Sequence, residues 1–165
     1  MQKQVIIING TGGSGKDTFV QFCSEFLNIT NISSVDKVKE AAKILVGWKG
    51  EKDEKSRKLL VDLKQLSIDY NNSPTEYIKE KYEEFMKNNS EILFIHIREI
   101  DEIEKLKKVL NAKTLLIRNP RVALITSNNS DGNVYKYTYD YIVENDGTLE
   151  DLKQKAKQFI QESMW

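Results

Sequence analysis

The sequence is poor in the residues that staple or punctuate a fold. Its 165 residues include one Cys, one His and two Pro. A lone Cys23 excludes an internal disulfide and a cysteine-cluster metal site. A chain without disulfides suits a reducing compartment, so a cytoplasmic setting is expected. Net charge is absent too: 25 Lys and Arg balance 25 Asp and Glu. That balance removes the broad electrostatic footprint of proteins that bind nucleic acid or anionic membranes, so neither partner is expected. No apolar run approaches the roughly 20 residues that span a bilayer. The apolar run at residues 5–8 is too short for a signal-peptide core and stops at Gly10, so it reads as a strand. Internal repeats and low-complexity stretches are lacking. The length suits one domain, residues 1–165, with a core that needs no staples.

What is present is an alternation of strand and helix patterns. After the first strand, Phe19, Phe22, Cys23, Phe26 and Leu27 recur at helical spacing. Residues 29–35 read as a weaker strand. Val38, Ala41, Ala42, Leu45 and Val46 mark a second helix, and Leu59, Leu63, Leu66 and Tyr70 a third. Ser73, Pro74, Thr75 and Glu76 form a capping-box pattern opening a fourth helix to about Lys87. Residues 92–97 are nearly continuous in apolar character, as in a central parallel strand. A helix through Ile100, Ile103, Leu106 and Leu110 follows, then a strand at residues 114–117. Residues 122–126 and 134–139 read as short extended segments around a turn at 127–133. A last strand at 141–144 leads to a helix that Thr148 and Asp151 are placed to cap. Such alternation predicts an α/β fold of three layers, with a five-stranded parallel sheet and ligands beyond the carboxyl ends of the strands.

The first strand-to-helix turn carries the chemistry. Gly10, Gly15 and Lys16 match the phosphate-loop pattern, with Asp17 where Ser or Thr is usual and Thr18 behind it. Gly12 and Gly13 lie between, and Ser14 precedes the last glycine. Glycines let successive amides converge on an anion, and the opening helix adds its positive dipole end. Lys16 supplies a mobile charge for β- and γ-phosphates, and Asp17 and Thr18 are candidate Mg²⁺ ligands. Gly10, Gly12 and Gly15 also fit a dinucleotide fingerprint, with Asp36 about 20 residues on. Against that stand the superfluous Lys16 and a chain too short for two nucleotide-binding halves.

Arg57, Arg98, Arg118 and Arg121 are the only arginines among the 25 basic residues. Arg brings a rigid fork for phosphate that Lys lacks. Arg98 follows the third strand, and Arg118 and Arg121 follow the fourth, so all three fall on the ligand side. His96 reads as a packed or hydrogen-bonded strand residue rather than a base.

These segments resemble P-loop kinases that phosphorylate phosphorylated acceptors. The nearest groups are phage-type deoxynucleoside monophosphate kinases and animal-type phosphomevalonate kinases. Ser14-Gly15-Lys16-Asp17-Thr18 is similar to the Asp-containing loop of that group, and Asp36-Lys37-Val38-Lys39-Glu40 to its acceptor region. Arg57-Lys58-Leu59-Leu60 is similar to the next helix, and Arg98 to the Arg of an Asp-x-Arg strand end whose Asp is here His96. The run from Tyr139 to Thr148 is similar to the last strand and the loop near adenine. The resemblance implies a nucleoside monophosphate kinase-like fold, with a helical acceptor-binding insert at about 36–89 and a short lid-like segment at about 119–133. It implies ATP and Mg²⁺ as cofactors and a small phosphorylated acceptor, a (deoxy)nucleoside monophosphate or a metabolite phosphate such as phosphomevalonate. The loop residues, Arg118, Asn145 and Gly147 then bind ATP; Lys16, Arg98 and Arg121 are catalytic; Asp36, Lys37, Lys39 and Arg57 bind the acceptor. A nucleotide sensor or slow ATPase is the alternative that the His96 departure favours.

Overall fold

In the computed structural model, residues 2–122 and 132–164 are described. They form β1 (Gln4–Asn9), α1 (Lys16–Ser24), β2 (Ile29–Ser33), α2 (Asp36–Val46), α3 (Glu54–Asn71) and α4 (Ser73–Lys87). Then come β3 (Ile92–His96), α5 (Ile100–Val109), β4 (Lys113–Arg118), β5 (Tyr141–Glu144) and α6 (Leu149–Met164). The strands make one five-stranded parallel sheet in the order β2-β3-β1-β4-β5. Among the described residues no helix is long and apolar enough to cross a membrane.

β1 lies at the centre, and Ile6, Ile7 and Ile8 are fully buried. Each such side chain contributes about 1.5–3 kcal/mol relative to exposure. Alternation along the strand sends them to two cores. Ile6 and Ile8 join Phe19, Cys23, Phe94, Leu115, Leu152 and Phe159 under α1 and α6. Val5 and Ile7 join Ile78, Phe85, Leu93, Ile95, Ile103 and Leu106 under α4 and α5. This is the expected three-layer α/β arrangement. Cys23 packs in the first core, where burial pushes its thiol up to about 12 and leaves it inert. Lys3 locks the start of β1 to the end of α4, its ammonium donating to the carbonyls of Phe85 (2.8 Å), Asn88 (2.7 Å) and Ser90 (2.6 Å).

Three local expectations are corrected. Ser73 does not cap α4. The cap residue is Asn72, in the left-handed region at φ 55°, and its carbonyl accepts from the amides of Thr75 and Glu76. Asn tolerates that conformation, so one residue ends α3 and starts α4. The apolar stripe expected on α3 holds only in its first half: Leu59 and Leu63 are half-buried, but Leu66 is 65% and Tyr70 88% exposed. The most buried positions of the helix are Ser56 and Lys64, beside the half-buried Leu60. Residues 134–139 are not an extended arm, because Val134–Lys136 is a 3₁₀ turn. Most of the extended segment expected at 122–126, of the turn at 127–133 and of the lid-like segment at 119–133 lies outside the described residues. The cap on α6 is present: Thr148 N–H donates to Asp151 Oδ2 at 2.8 Å, and Asp151 N–H to Thr148 Oγ1 at 3.1 Å.

Candidate functional site

β1 delivers the chain into the glycine loop at the centre of the sheet. A Cβ on Gly10 would lie 2.6 Å from the Ile117 carbonyl oxygen and 2.7 Å from Ser14 Oγ, so no side chain fits there. Gly13 has φ 77°, and Gly15, the residue before α1, has φ 98°. A Cβ on Gly15 would also meet Asn145 Nδ2 at 2.5 Å. Gly12 and Gly13 turn the chain so that Ser14 N–H donates to the Thr11 carbonyl at 3.1 Å. Phe19 N–H to Gly15 O, at 2.9 Å, is the first helical hydrogen bond of α1. The amides of Lys16, Asp17 and Thr18 precede it, facing the mouth of the loop with the helix dipole behind them.

Two hydroxyls in this loop have no partner among the described residues. Thr11 Oγ1 and Ser14 Oγ belong to residues 0% and 1% exposed, and neither makes a hydrogen bond. A buried polar group left unsatisfied costs about 1–3 kcal/mol. A glycine cradle, a helix amino terminus and two waiting donors fit a bound phosphate chain. For a metal the loop offers Asp17 and Thr18, hard oxygen donors. Among the described residues no three His, Cys, Asp or Glu side chains converge as a cage. That donor set fits Mg²⁺, which takes one or two protein oxygens and completes its shell with substrate phosphates and water.

The loop is held from behind by residues the motifs did not single out. Asn9, fully buried, accepts from Gly10 N–H at 2.8 Å and donates to Tyr139 Oη at 3.0 Å and to the Arg98 carbonyl at 3.4 Å. The Tyr139 hydroxyl in turn donates to the Val134 carbonyl at 2.7 Å. The only signal for this hub was a polar residue ending an apolar strand. From the other side Asn145 donates to the Ser14 carbonyl at 2.9 Å, so this expected cofactor residue is a latch on the loop.

At the end of β3, His96 stands opposite Ile8 and Ser33 in register. Its Nε2–H donates to Asn31 Oδ1 at 2.7 Å, which fixes the tautomer. Burial first, then the Lys16 ammonium, pushes its pKa down to about 4. Asp17, Asp36 and Lys39 also act on this imidazole, so the loop and the start of α2 converge here. Asp36 accepts from Ser33 N–H at 2.9 Å and from the Tyr77 hydroxyl at 2.8 Å. Lys37 and Lys81 lie over the Tyr77 ring, 5.5 Å and 5.9 Å from its centre. Tyr77 and Lys81 were not foreseen. Arg57 lies apart, half-buried on the first turn of α3 beside the Asp53 cap.

The strand-end arginines divide. Arg98 sits beyond β3, its carbonyl tied to Asn9. Arg118 pairs with Glu144, its in-register neighbour on β5, through Nε at 2.7 Å and through a terminal nitrogen. Arg121 reaches across to the carbonyls of Asn145 (3.3 Å) and Gly147 (3.2 Å). Here both bind neighbouring protein groups on the β5 side.

His96 makes a pH prediction. Its folded pKa lies below the ordinary 6.5, so the unfolded chain takes the proton first. The stability it contributes is therefore present above pH 6.5 and lost as the pH falls towards 4. A loss on the order of 3 kcal/mol is expected across that window. Urea midpoints measured against pH should show it in the wild type and not in His96→Gln; equal slopes in the two proteins refute the neutral, half-buried imidazole.

No protein-family model and no curated protein sequence matches the chain. Solved structures do. The chain is similar to dephospho-CoA kinase from Campylobacter jejuni, at 19% identity over 98% of this chain and 97% of that one, with a TM-score of 0.60. It is similar to shikimate kinase from Acinetobacter baumannii in complex with shikimate, at 16% identity over 97% and 94%, with a TM-score of 0.52. TT1252 from Thermus thermophilus matches at 19% identity over 98% of both chains, with a TM-score of 0.56. The fold is that of the P-loop kinases. At these identities the likeness is one of fold, and the two named kinases are of dephospho-CoA and shikimate. The narrower resemblance to nucleoside monophosphate and phosphomevalonate kinases stays with the sequence motifs. Within the P-loop kinase fold, the glycine loop after the central strand occupies the carboxyl edge where ligands of parallel sheets sit.

Proposed function

We propose that this protein transfers the terminal phosphoryl group of ATP to a small phosphorylated acceptor, a (deoxy)nucleoside monophosphate being favoured. The unpartnered buried hydroxyls of Thr11 and Ser14 inside the glycine loop carry the proposal, since a phosphate chain would satisfy both. The loop amides and Lys16 hold the donor phosphates, and Asp17 and Thr18 hold the metal. Mg²⁺, when bound, neutralises charge on the phosphate oxygens. Asn145 and Gly147 border the donor's base, and Arg98, with Arg121, offsets charge on the transferred group. Asp36, Lys37, Lys39 and Arg57 line the acceptor lobe, formed by the insert at about 36–89, and the lysines beside Tyr77 favour an anionic acceptor. The acceptor oxygen forms the new bond to phosphorus as the bond to ADP breaks. That oxygen is already anionic, so His96 need not act as a base. Catalysis of this kind is positioning and electrostatics.

His96 favours a second reading. A neutral imidazole stands where the resembled kinases carry an Asp, and imidazole is a poor partner for Mg²⁺. A nucleotide sensor or slow ATPase fits that substitution. ADP release from ATP, measured with the common monophosphates, phosphomevalonate and buffer alone, separates the two. A jump with one acceptor supports the kinase and names its substrate, whereas a flat low rate supports the sensor.

Arg57→Ala is expected to raise the acceptor KM about tenfold with the ATP KM within twofold, because the residue lies in the insert and away from the loop. A changed ATP KM with an unchanged acceptor KM would remove Arg57 from the acceptor site.

A further inference from the structure

Lys64 is a buried cation that the phosphate site does not use. It lies in the middle of α3 and is 5% exposed. Its ammonium donates to Glu99 Oε2 at 2.8 Å, to Glu102 Oε2 at 2.8 Å and to Ser34 Oγ at 3.3 Å. Three donors meet three acceptors, so the position of Nζ is fully determined. The acceptors are not on the insert's own helices. Glu99 immediately precedes α5 and directly follows Arg98; Glu102 is in the first turn of α5. Ser34 follows β2, and its N–H donates to the His96 carbonyl at 3.1 Å. One side chain of α3 thus touches both segments that frame the end of β3.

We propose that Lys64 is a positioning residue that sets helix α3, and with it the acceptor side of the site, in register with Arg98. This rests on the kinase reading for its functional meaning. The packing supports it. The buried residues of α3 are Ser56 and Lys64, and Leu66 and Tyr70 point to solvent. The inward apolar residues of α3, Leu59, Leu60, Leu63 and Ile68, are only half-buried, so the fully held ammonium is the anchor that fixes its angle and height. A buried ion pair is a poor source of net stability, because desolvating the charges offsets most of their attraction; its best-attested use is to fix register. The charges agree with that use. Burial opposes the Lys64 charge, but the two carboxylates outweigh it and hold the pKa above its ordinary value. Burial raises the Glu102 carboxyl in turn, so removing Lys64 alone would strand a carboxylate. The effect is expected on the acceptor rather than on the nucleotide, since Asn9 and Asn145 hold the glycine loop directly and Lys64 does not touch it.

The test uses the full chain and two variants. Lys64→Met/Glu102→Leu removes the cation together with the carboxylate it would strand, and leaves the more exposed Glu99 to water. Glu102→Gln keeps an acceptor oxygen for Lys64 but removes its charge, which weakens the tie without stranding the ammonium. Hydrogen exchange is read at residues 54–71, with residues 10–18 as internal reference. The acceptor KM and the ATP KM are read on the same samples. In the double variant, exchange at 54–71 should rise at least tenfold and the acceptor KM about tenfold, with the reference segment and the ATP KM within twofold. Glu102→Gln should move the same two quantities about threefold. Unchanged exchange at 54–71, or equal rises in both KM values, overturns the proposal. If the double variant does not fold, Glu102→Gln decides by the same criteria. If no acceptor stimulates the wild type, the kinase reading fails, while hydrogen exchange still decides whether Lys64 sets α3.

Discussion

Lys16→Ala is expected to lower ATP affinity at least tenfold while leaving the fold intact. The stem of Lys16 crosses the loop it serves: a Cβ on Gly10 would lie 3.2 Å from Lys16 Cγ. Its charge is felt by His96 across the mouth of the site. The side chain is half-buried and belongs to neither apolar core, so truncation opens no core cavity. A charge-assisted phosphate contact is worth about 1.5–3 kcal/mol, and tenfold corresponds to about 1.4 kcal/mol. Unfolding free energy should stay within about 0.5 kcal/mol, as for substitutions away from packed or buried polar features. Titration calorimetry with ATP and urea unfolding on the same preparation check both halves. Unchanged affinity would sink the assignment of the loop to phosphate.

Gly10→Ala should have the largest effect on the loop as a body. The new methyl would meet the backbone oxygen of Ile117 at 2.6 Å, and backbone cannot rotate away as a flexible side chain can. Either β1 and β4 part at their ends, where Asn9 stands opposite Leu116, or the loop swings out and drops its bond to Asn9. Overpacking of this kind costs about 1–3 kcal/mol, and nucleotide binding should disappear with it. Gly47→Ala is the control. Gly47 has φ 67° with nothing within 4 Å of its would-be Cβ, so only backbone strain is added, about 1 kcal/mol. Its ATP binding should match the wild type. Equal losses in the two variants would mean that strain, not the contact with Ile117, governs Gly10.

Much of the fold was legible because buried parallel strands read as apolar runs whatever surrounds them. The runs at residues 5–8, 92–97 and 114–117 became β1, β3 and β4, each within two residues. The glycine loop was legible because its spacing encodes backbone conformation rather than contacts. What was not legible depended on partners distant in sequence. Lys64 looks like any lysine on a charged helix until Glu99 and Glu102 are brought beside it, and its burial turns Leu66 and Tyr70 outward. Asn9 and Tyr139 lie far apart in the chain, and nothing near either marks them as one hub. Ser73 matched a cap pattern that the left-handed Asn72 made unnecessary. Arg118 and Arg121 were correctly placed at strand ends, but their present partners on the β5 side were not foreseeable from position alone.

The pairing of β1 bears on how the chain is made. Its register partners are Ile92 to His96 on one side and Lys113 to Leu116 on the other, so no neighbouring hairpin shelters it. It is translated before either partner, so three consecutive isoleucines stay unpaired until residues 92–116 have been made. Parallel pairings of long range form slowly and leave sticky segments open in the meantime. A nascent chain stalled before β3 should therefore engage a chaperone through residues 5–8, and one stalled after β4 should release it.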